Sequence, residues 1–132
     1  MSVRLLALLV LAAASPVSAE GLTIRTGETW VFSIVRGQPA NARRVAAEAK
    51  PARNQVKVSV SSMLGTAMWV TNNSPVDYSY RATLLLPKGK TGPAKACVVP
   101  ANGKIAFENW PQPAVAVRVS DFKPAPAGSL CP

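Results

Sequence analysis

A chain of 132 residues carrying 15 lysines and arginines against 6 acids, with net charge +9 and no histidine, has room for one domain and lacks both the commonest general base and the commonest metal ligand. No Walker, Gly-x-Gly-x-x-Gly or Gly-x-Ser-x-Gly pattern occurs, so nucleotide and acyl-transfer chemistry have no footing and no cofactor is expected. The strong positive charge favours polyanionic partners, although the basic residues are scattered along the chain and serve solubility equally well.

The chain opens with Arg4, an apolar run from Leu5 to Ala14, and small residues at Val17-Ser18-Ala19. This pattern predicts a secretory signal peptide, residues 1–19, cleaved after Ala19. The run is about half the ~20 residues of a membrane span, so no transmembrane segment is expected and the protein is assigned to the periplasm or the secreted fraction. Removing 19 of the 132 residues and one of the 15 basic ones leaves 113 residues with net charge +8. Of these, 20–123 read as one β-domain and 124–132 as a Pro-rich tail.

Thr29 to Val35 alternates Trp30, Phe32 and Ile34 against Val31 and Ser33, and Gly37-Gln38-Pro39 closes it as a strand. The next segment, Asn41 to Lys50, fits two readings. A short helix would be capped by Asn41 and stopped by Pro51, and a strand would alternate Arg43, Val45, Ala47 and Ala49. Gln55 to Ser61 has a clean period of two, with Val56, Val58 and Val60 inward and Lys57 and Ser59 outward. Thr66 to Thr71 and the stretch from Tyr78 to Leu86 flank a turn rich in Asn, Ser, Pro and Asp, which reads as a hairpin. Tyr78, Tyr80, Ala82, Leu84 and Leu86 share one face of its second strand.

A basic loop, Lys88 to Pro93, leads into a strand from Lys95 to Val99. Asn102-Gly103 gives the strongest short hairpin signal of the chain and joins that strand to one from Lys104 to Glu108. Ala114 to Ser120 is the last strand, with Val115, Val117 and Val119 inward. Phe122 breaks its parity, which predicts a bulge near Ser120-Asp121 that returns the ring to the core.

Strands at spacings of about 8–12 residues predict an all-β fold, an antiparallel immunoglobulin-like β-sandwich of seven or eight short strands. Its expected core is Val56, Val58, Val60, Met68, Val70, Tyr80, Leu84, Ile105, Phe107, Val115 and Val117. The likeness to immunoglobulin-like sandwiches of secreted and periplasmic proteins covers about Thr29 to Phe122 and is architectural. The Cys-Trp-Cys order of antibody domains is missing, so no site residue carries over.

An even cysteine count in an oxidising compartment reads as a disulfide, and only Cys97 to Cys131 is available. Closing a loop of about 35 residues contributes roughly 3–4 kcal/mol and ties back the tail. No Cys-x-x-Cys accompanies it, so a redox pair or a metal site is the poorer reading. Glu28, Glu48, Asp77, Glu108 and Asp121 stand singly beside turns or strand ends, which suits capping better than paired acid–base work on a glycoside. Met63 and Met68 are soft donors but make a poor copper site without histidine or thiol. Asn72-Asn73-Ser74 matches a glycosylation acceptor and also reads as a plain turn.

Two groups are candidate sites. Trp69 and Trp110 are candidate partner anchors, with closure of the core as the competing role. Arg81, Lys88, Lys90, Lys95 and Lys104 form a candidate anion-binding surface if folding brings them together, or otherwise a solvated rim. These features point to a non-catalytic, exported binding or envelope-associated module whose partner is a protein or an anionic envelope polymer. A small secreted enzyme inhibitor and a carboxylate-based hydrolase are the alternatives.

Overall fold

The computed structural model describes residues 21–126. Residues 1–19, read as a signal peptide, and Cys131 lie outside the described residues. The elements, in order, are β1 (Leu22–Arg25), β2 (Thr29–Val35), β3 (Gln38–Val45), β4 (Gln55–Ser61), β5 (Thr66–Asn73), β6 (Tyr78–Leu85), a short 3-10 turn (Pro87–Gly89), β7 (Thr91–Ala94), β8 (Lys104–Trp110) and β9 (Ala116–Pro124). They form two antiparallel sheets, a four-stranded one in the order β1-β9-β6-β7 and a five-stranded one in the order β3-β2-β4-β5-β8. The all-β, sandwich-like expectation therefore stands. Among the described residues nine strands form rather than seven or eight, because β1 was not foreseen, and the strand expected at Lys95–Val99 is replaced by β7 at Thr91–Ala94.

Period-two patterning explains how the sheets face each other. Val56, Val58 and Val60 of β4 and Met68 and Val70 of β5 are all buried, and they meet Ile24, Ala82, Leu84, Val117 and Val119 of the opposite sheet in one apolar cluster. Phe122 joins them through the expected bulge. Arg81 pairs with Ser120 while Ser79 pairs with Lys123, so the register slips, and Asp121 at φ 54° absorbs the extra residue. Phe122 then stacks on Tyr80 at 5.2 Å and lies 5.6 Å from Phe32. The bulge keeps an aromatic centre in a core that the alternation alone would have turned out to water.

Asn41 to Lys50 resolves in favour of the strand for its first half, since β3 runs through Val45 and pairs with β2. The turn before it, Arg36-Gly37, has φ 51° and 82°, the doubly left-handed geometry of a tight hairpin with right-handed twist. Gly65, at φ 103°, closes the β4–β5 hairpin where a Cβ would collide with the Trp110 carbonyl oxygen, so only glycine fits.

Two hairpin expectations are corrected. β5 and β6 lie in different sheets, so the turn between them is an arch that carries the chain across the sandwich. Its side chains bond their own turn: Asn72 Nδ2 donates to Val76 O at 2.7 Å and Ser74 Oγ accepts from Val76 N at 3.2 Å. Asn102-Gly103 likewise joins no hairpin. Both residues have positive φ, but their amides donate to the Ser74 and Asn72 carbonyls, each at 2.8 Å, and Asp77 accepts from Ala101 N at 2.7 Å. The two crossings thus clasp each other at one end of the molecule. A local turn motif fixes only the bend, and the partner strand is chosen by burial.

The core also differs from expectation on one strand. Ile105 and Phe107 are 62% and 51% exposed, Val115 precedes β9 and is 47% exposed, and Trp110 is buried. On β8 the inward side chains are Ala106, Glu108 and Trp110. Leu84→Ala should therefore cost about 2–5 kcal/mol in a urea titration, whereas Ile105→Ala should stay within about 0.5 kcal/mol. A large loss for Ile105 would return that side chain to the core.

Candidate functional site

Residues that point inward on β2, β4, β5 and β8 commit their neighbours to the opposite face. On that outer face the register aligns Thr29, Ser59, Trp69 and Phe107 in one row across four strands. The next row runs Arg43, Val31, Lys57, Thr71 and Ile105. The Trp69 and Phe107 rings touch at 5.1 Å with planes tilted 52°. A hydroxyl pair, Thr29 Oγ1 and Ser59 Oγ at 2.9 Å, continues that row. The face therefore offers an aromatic shelf, a hydroxyl strip and, one row along, cations.

One side of the shelf is walled. Lys57 Nζ donates to the Ala47 carbonyl, which holds the segment after β3 against the outer face. The wall, the Gly27–Glu28 turn and the sheet enclose a shallow depression of about 450 Å³ lined by Ser59, Trp69, Thr71 and Ile105 among others. Glu28 closes its rim and is fully engaged. It accepts from the Trp30 indole at 2.9 Å and from Arg25 N at 3.1 Å, and it pairs with Arg44 at 3.4 Å. The indole hydrogen bond first, then the Arg25 amide, with help from the Arg44 and Arg25 charges, hold its carboxyl below the ordinary 4.5 despite some desolvation.

The two candidate tryptophans separate. Trp69 is half-buried on the outer face, where it can meet a partner. Trp110 is a core side chain whose indole donates to Lys95 O at 3.0 Å, and it closes the open side of the sandwich rather than anchoring a partner. Phe107 and Ile105 were assigned to the core and are instead exposed on this outer face, which makes them candidate site residues that the sequence reading missed.

The five candidate cations do not converge. Lys95 follows Ala94, which pairs with Ala82, so Lys95 sits across from Arg81, and both line a groove of about 430 Å³ where the β6–β7 ladder stops. Arg81 is also ion-paired with Asp121 at 3.6 Å in the open. Lys88 and Lys90 stand on the turn beyond the far end of β6. Lys104 pairs with Asn72 beside the β5–β6 arch, one strand length or about 25 Å away. Exposed charges at that separation act independently at physiological salt.

The remaining candidates have structural employment. Asp77 accepts from Ala101 N, Glu108 accepts from Cys97 N at 2.8 Å, and Asp121 accepts from Gln38 Nε2 at 2.6 Å. Met68 is fully buried while Met63 lies in the β4–β5 turn. Asn72 is fully buried with its amide donated to Val76 O, so the acceptor motif is closed to glycosylation in the folded chain. Among the described residues there is no cluster of three or more potential metal ligands, and no helix is long and apolar enough to cross a membrane. No family model, no curated protein and no solved structure matches the chain.

Glu28 gives the site a pH signature. Its value is lower folded than unfolded, so its contribution to stability is complete above the ordinary 4.5 and is lost as pH falls through the folded value. Urea midpoints measured from pH 6 downward should fall more gently below pH 4.5 in Glu28→Gln than in the parent, and identical acid limbs would show that the indole bond does not favour the carboxylate.

Proposed function

We propose that the protein is a non-catalytic exported binding module that holds an anionic envelope polysaccharide on the outer face of its five-stranded sheet. The observation that carries this reading is the shelf of half-buried Trp69 and exposed Phe107, in register with the Ser59 hydroxyl and adjacent to the cations Lys57 and Arg43. Aromatic faces pack against the apolar faces of sugar rings, hydroxyls bond their rims, and cations answer carboxylate or sulfate groups. The net charge of +9 concentrates such a polymer near the surface. A protein partner and an enzyme-inhibitor role are the competing occupants. A hydrolase finds less support, because Glu28, Asp77, Glu108 and Asp121 each bond a different partner and Glu48 is exposed on the segment after β3. The scaffold is read as an immunoglobulin-like variant on the support of two facing antiparallel sheets joined by chain crossings.

Heparin oligosaccharides are a suitable anionic probe, with neutral dextran as the control. Trp69→Ala and Phe107→Ala should each weaken heparin binding roughly 5- to 100-fold, on the scale of one lost aromatic contact. Lys57→Gln should lower the salt dependence of what remains. Unchanged affinity in both aromatic variants, with Arg81→Gln/Lys95→Gln abolishing retention, would move the polymer to the β6–β7 groove.

Export into an oxidising compartment, with a Cys97–Cys131 disulfide, belongs to the same reading. Tyr78 is bridged to Val99 on one side and pairs with Pro124 on the other, so Val99, two residues after Cys97, and Pro124, two residues before the last described one, lie about two strand spacings, or roughly 10 Å, apart. Five further residues reach about 17 Å, enough to close the bridge. Intact mass before and after reduction should differ by two hydrogens, and two free thiols in the secreted protein would remove the bridge and weaken the case for export.

A further inference from the structure

Among the described residues the two sheets present four edges, and three of them are protected. β1 and β7 are 4 residues long, and β7 contains Pro93. β3 contains Pro39, a register shift opposite Val31–Ser33, Asn41 at positive φ, and the exposed pair Arg43-Arg44. Short length, proline, bulges and charge are the devices that stop a strand edge from recruiting another chain. β8 has none of the first three. It is 7 residues long, it pairs with β5 on one side, and no backbone hydrogen bond reaches its other side among the described residues. It also presents Ile105 and Phe107 to solvent, the pattern of an edge that receives a strand.

The sequence of β8 selects what that strand is. We propose that β8 pairs antiparallel with β8 of a second copy of this chain, about a two-fold axis at Ala106, joining two five-stranded sheets into one. In antiparallel pairing, partner residues share a face, so a symmetric ladder must centre on a residue. Centred on Ala106, Lys104 of each copy lies across from Glu108 of the other, and Ile105 across from Phe107. Centred on Ile105, Lys104 meets Ala106. Centred on Phe107, Glu108 meets Ala106 and Ile105 meets Asn109. Only the Ala106 register places opposite charges together on one face and apolar side chains together on the other, and each such pair stabilises a ladder.

The monomer geometry agrees with this arrangement. Lys104 is exposed, Glu108 uses only Oε2 for Cys97 N, and residues 95–99 meet β8 through its inward side chains, Glu108 and Trp110. Pairing would also extend the Trp69–Phe107 shelf across the axis through Ile105 and Phe107 of the two copies. The dimer itself goes beyond the polysaccharide reading and does not depend on it. A ladder of this length lies at the small end of specific interfaces, so the association is reversible and concentration-dependent.

Sedimentation equilibrium of the purified chain without any polymer tests it. The parent chain should show a monomer–dimer equilibrium at or below concentrations on the order of 1 mM. Lys104→Glu should weaken it roughly tenfold, by turning two attractive pairs into repulsive ones. Glu108→Lys should do the same, and an equimolar mixture of the two variants should recover a heterodimer, because each then supplies the charge that the other lacks. If Glu108→Lys fails to fold for want of the Cys97 amide acceptor, Ile105→Lys replaces it, and loss of the dimer in that variant and in Lys104→Glu supports the register. A parent chain that stays monomeric, or a Lys104→Glu variant that dimerises as the parent does, overturns the proposal. So does a chain that dimerises only after residues 127–132 are removed, which would make the tail the occupant of the edge. Because no polymer is present, these outcomes stand apart from the fate of the polysaccharide reading.

Discussion

The constraint on which the rest depends is the inward commitment of Val56, Val58, Val60, Met68 and Val70 on the two central strands of the five-stranded sheet. Burying each such side chain is worth about 1.5–3 kcal/mol relative to leaving it in water, and a slip of one residue would turn the whole set outward together. Any slip of β4 on β5 by an odd number of residues would take one of the two inward rows out of the core. Once that register is fixed, Ser59 must lie across from Trp69, and β8 must place Phe107 beside it. The aromatic shelf is therefore a by-product of core packing, held rigidly by residues that never touch a ligand. Rigid backing of this kind keeps two rings in mutual contact without a further ordering cost when a partner arrives.

The same commitment explains why some of the molecule was legible in the sequence and some was not. β2 and β4 have one apolar face and one polar face, so period two identifies the strand and its orientation together. The bulge at Asp121 was readable for the related reason that Phe122 violated an otherwise consistent parity. β8 is different, because Ile105 and Phe107 on one face compete with Ala106 and Trp110 on the other. Side-chain size favours the wrong face, and the choice is made by the neighbouring segment. Trp110 fills the open side of the sandwich and finds a carbonyl for its indole at Lys95, a partner that no local pattern reveals.

Turn chemistry was legible as turns and illegible as connections. Asn, Ser, Pro and Asp in the β5–β6 segment bend the chain by bonding their own backbone, and they do so equally well in a hairpin or in an arch between sheets. Here the second strand carries Tyr80, Ala82 and Leu84 against the valines of the first sheet, and burial is served only if the chain crosses over. The candidate anion surface is split for a similar reason. Lys88 and Lys104 are close in sequence, but one lies past the end of β6 and the other lies beside its beginning, and a strand's length of core separates them. Linear clustering predicts spatial clustering only within one turn or one face.

Two buried polar atoms mark where this packing is least complete. The Tyr80 hydroxyl and Asn72 Oδ1 are buried without a hydrogen-bond partner among the described residues. Burial, and secondarily the Glu108 carboxylate, push the Tyr80 phenol well above its ordinary 10.0, so it stays protonated under any physiological condition. Each such orphan costs on the order of 1–3 kcal/mol. Tyr80 keeps its place because its ring stacks on Phe122, which the bulge carries into the core, and Asn72 keeps its place because its amide holds the arch at Val76. In both, one end of the side chain holds a local geometry, the bulged β6–β9 ladder for Tyr80 and the β5–β6 arch for Asn72, while the other end goes unsatisfied. The polar defects lie inside the molecule at the sheet-crossing arch and the bulged ladder, whereas the Trp69 and Phe107 rings lie on the outer face of the five-stranded sheet. Substitutions that repair the interior are therefore separable from substitutions that alter the shelf, because the valine rows of β4 and β5 stand between them.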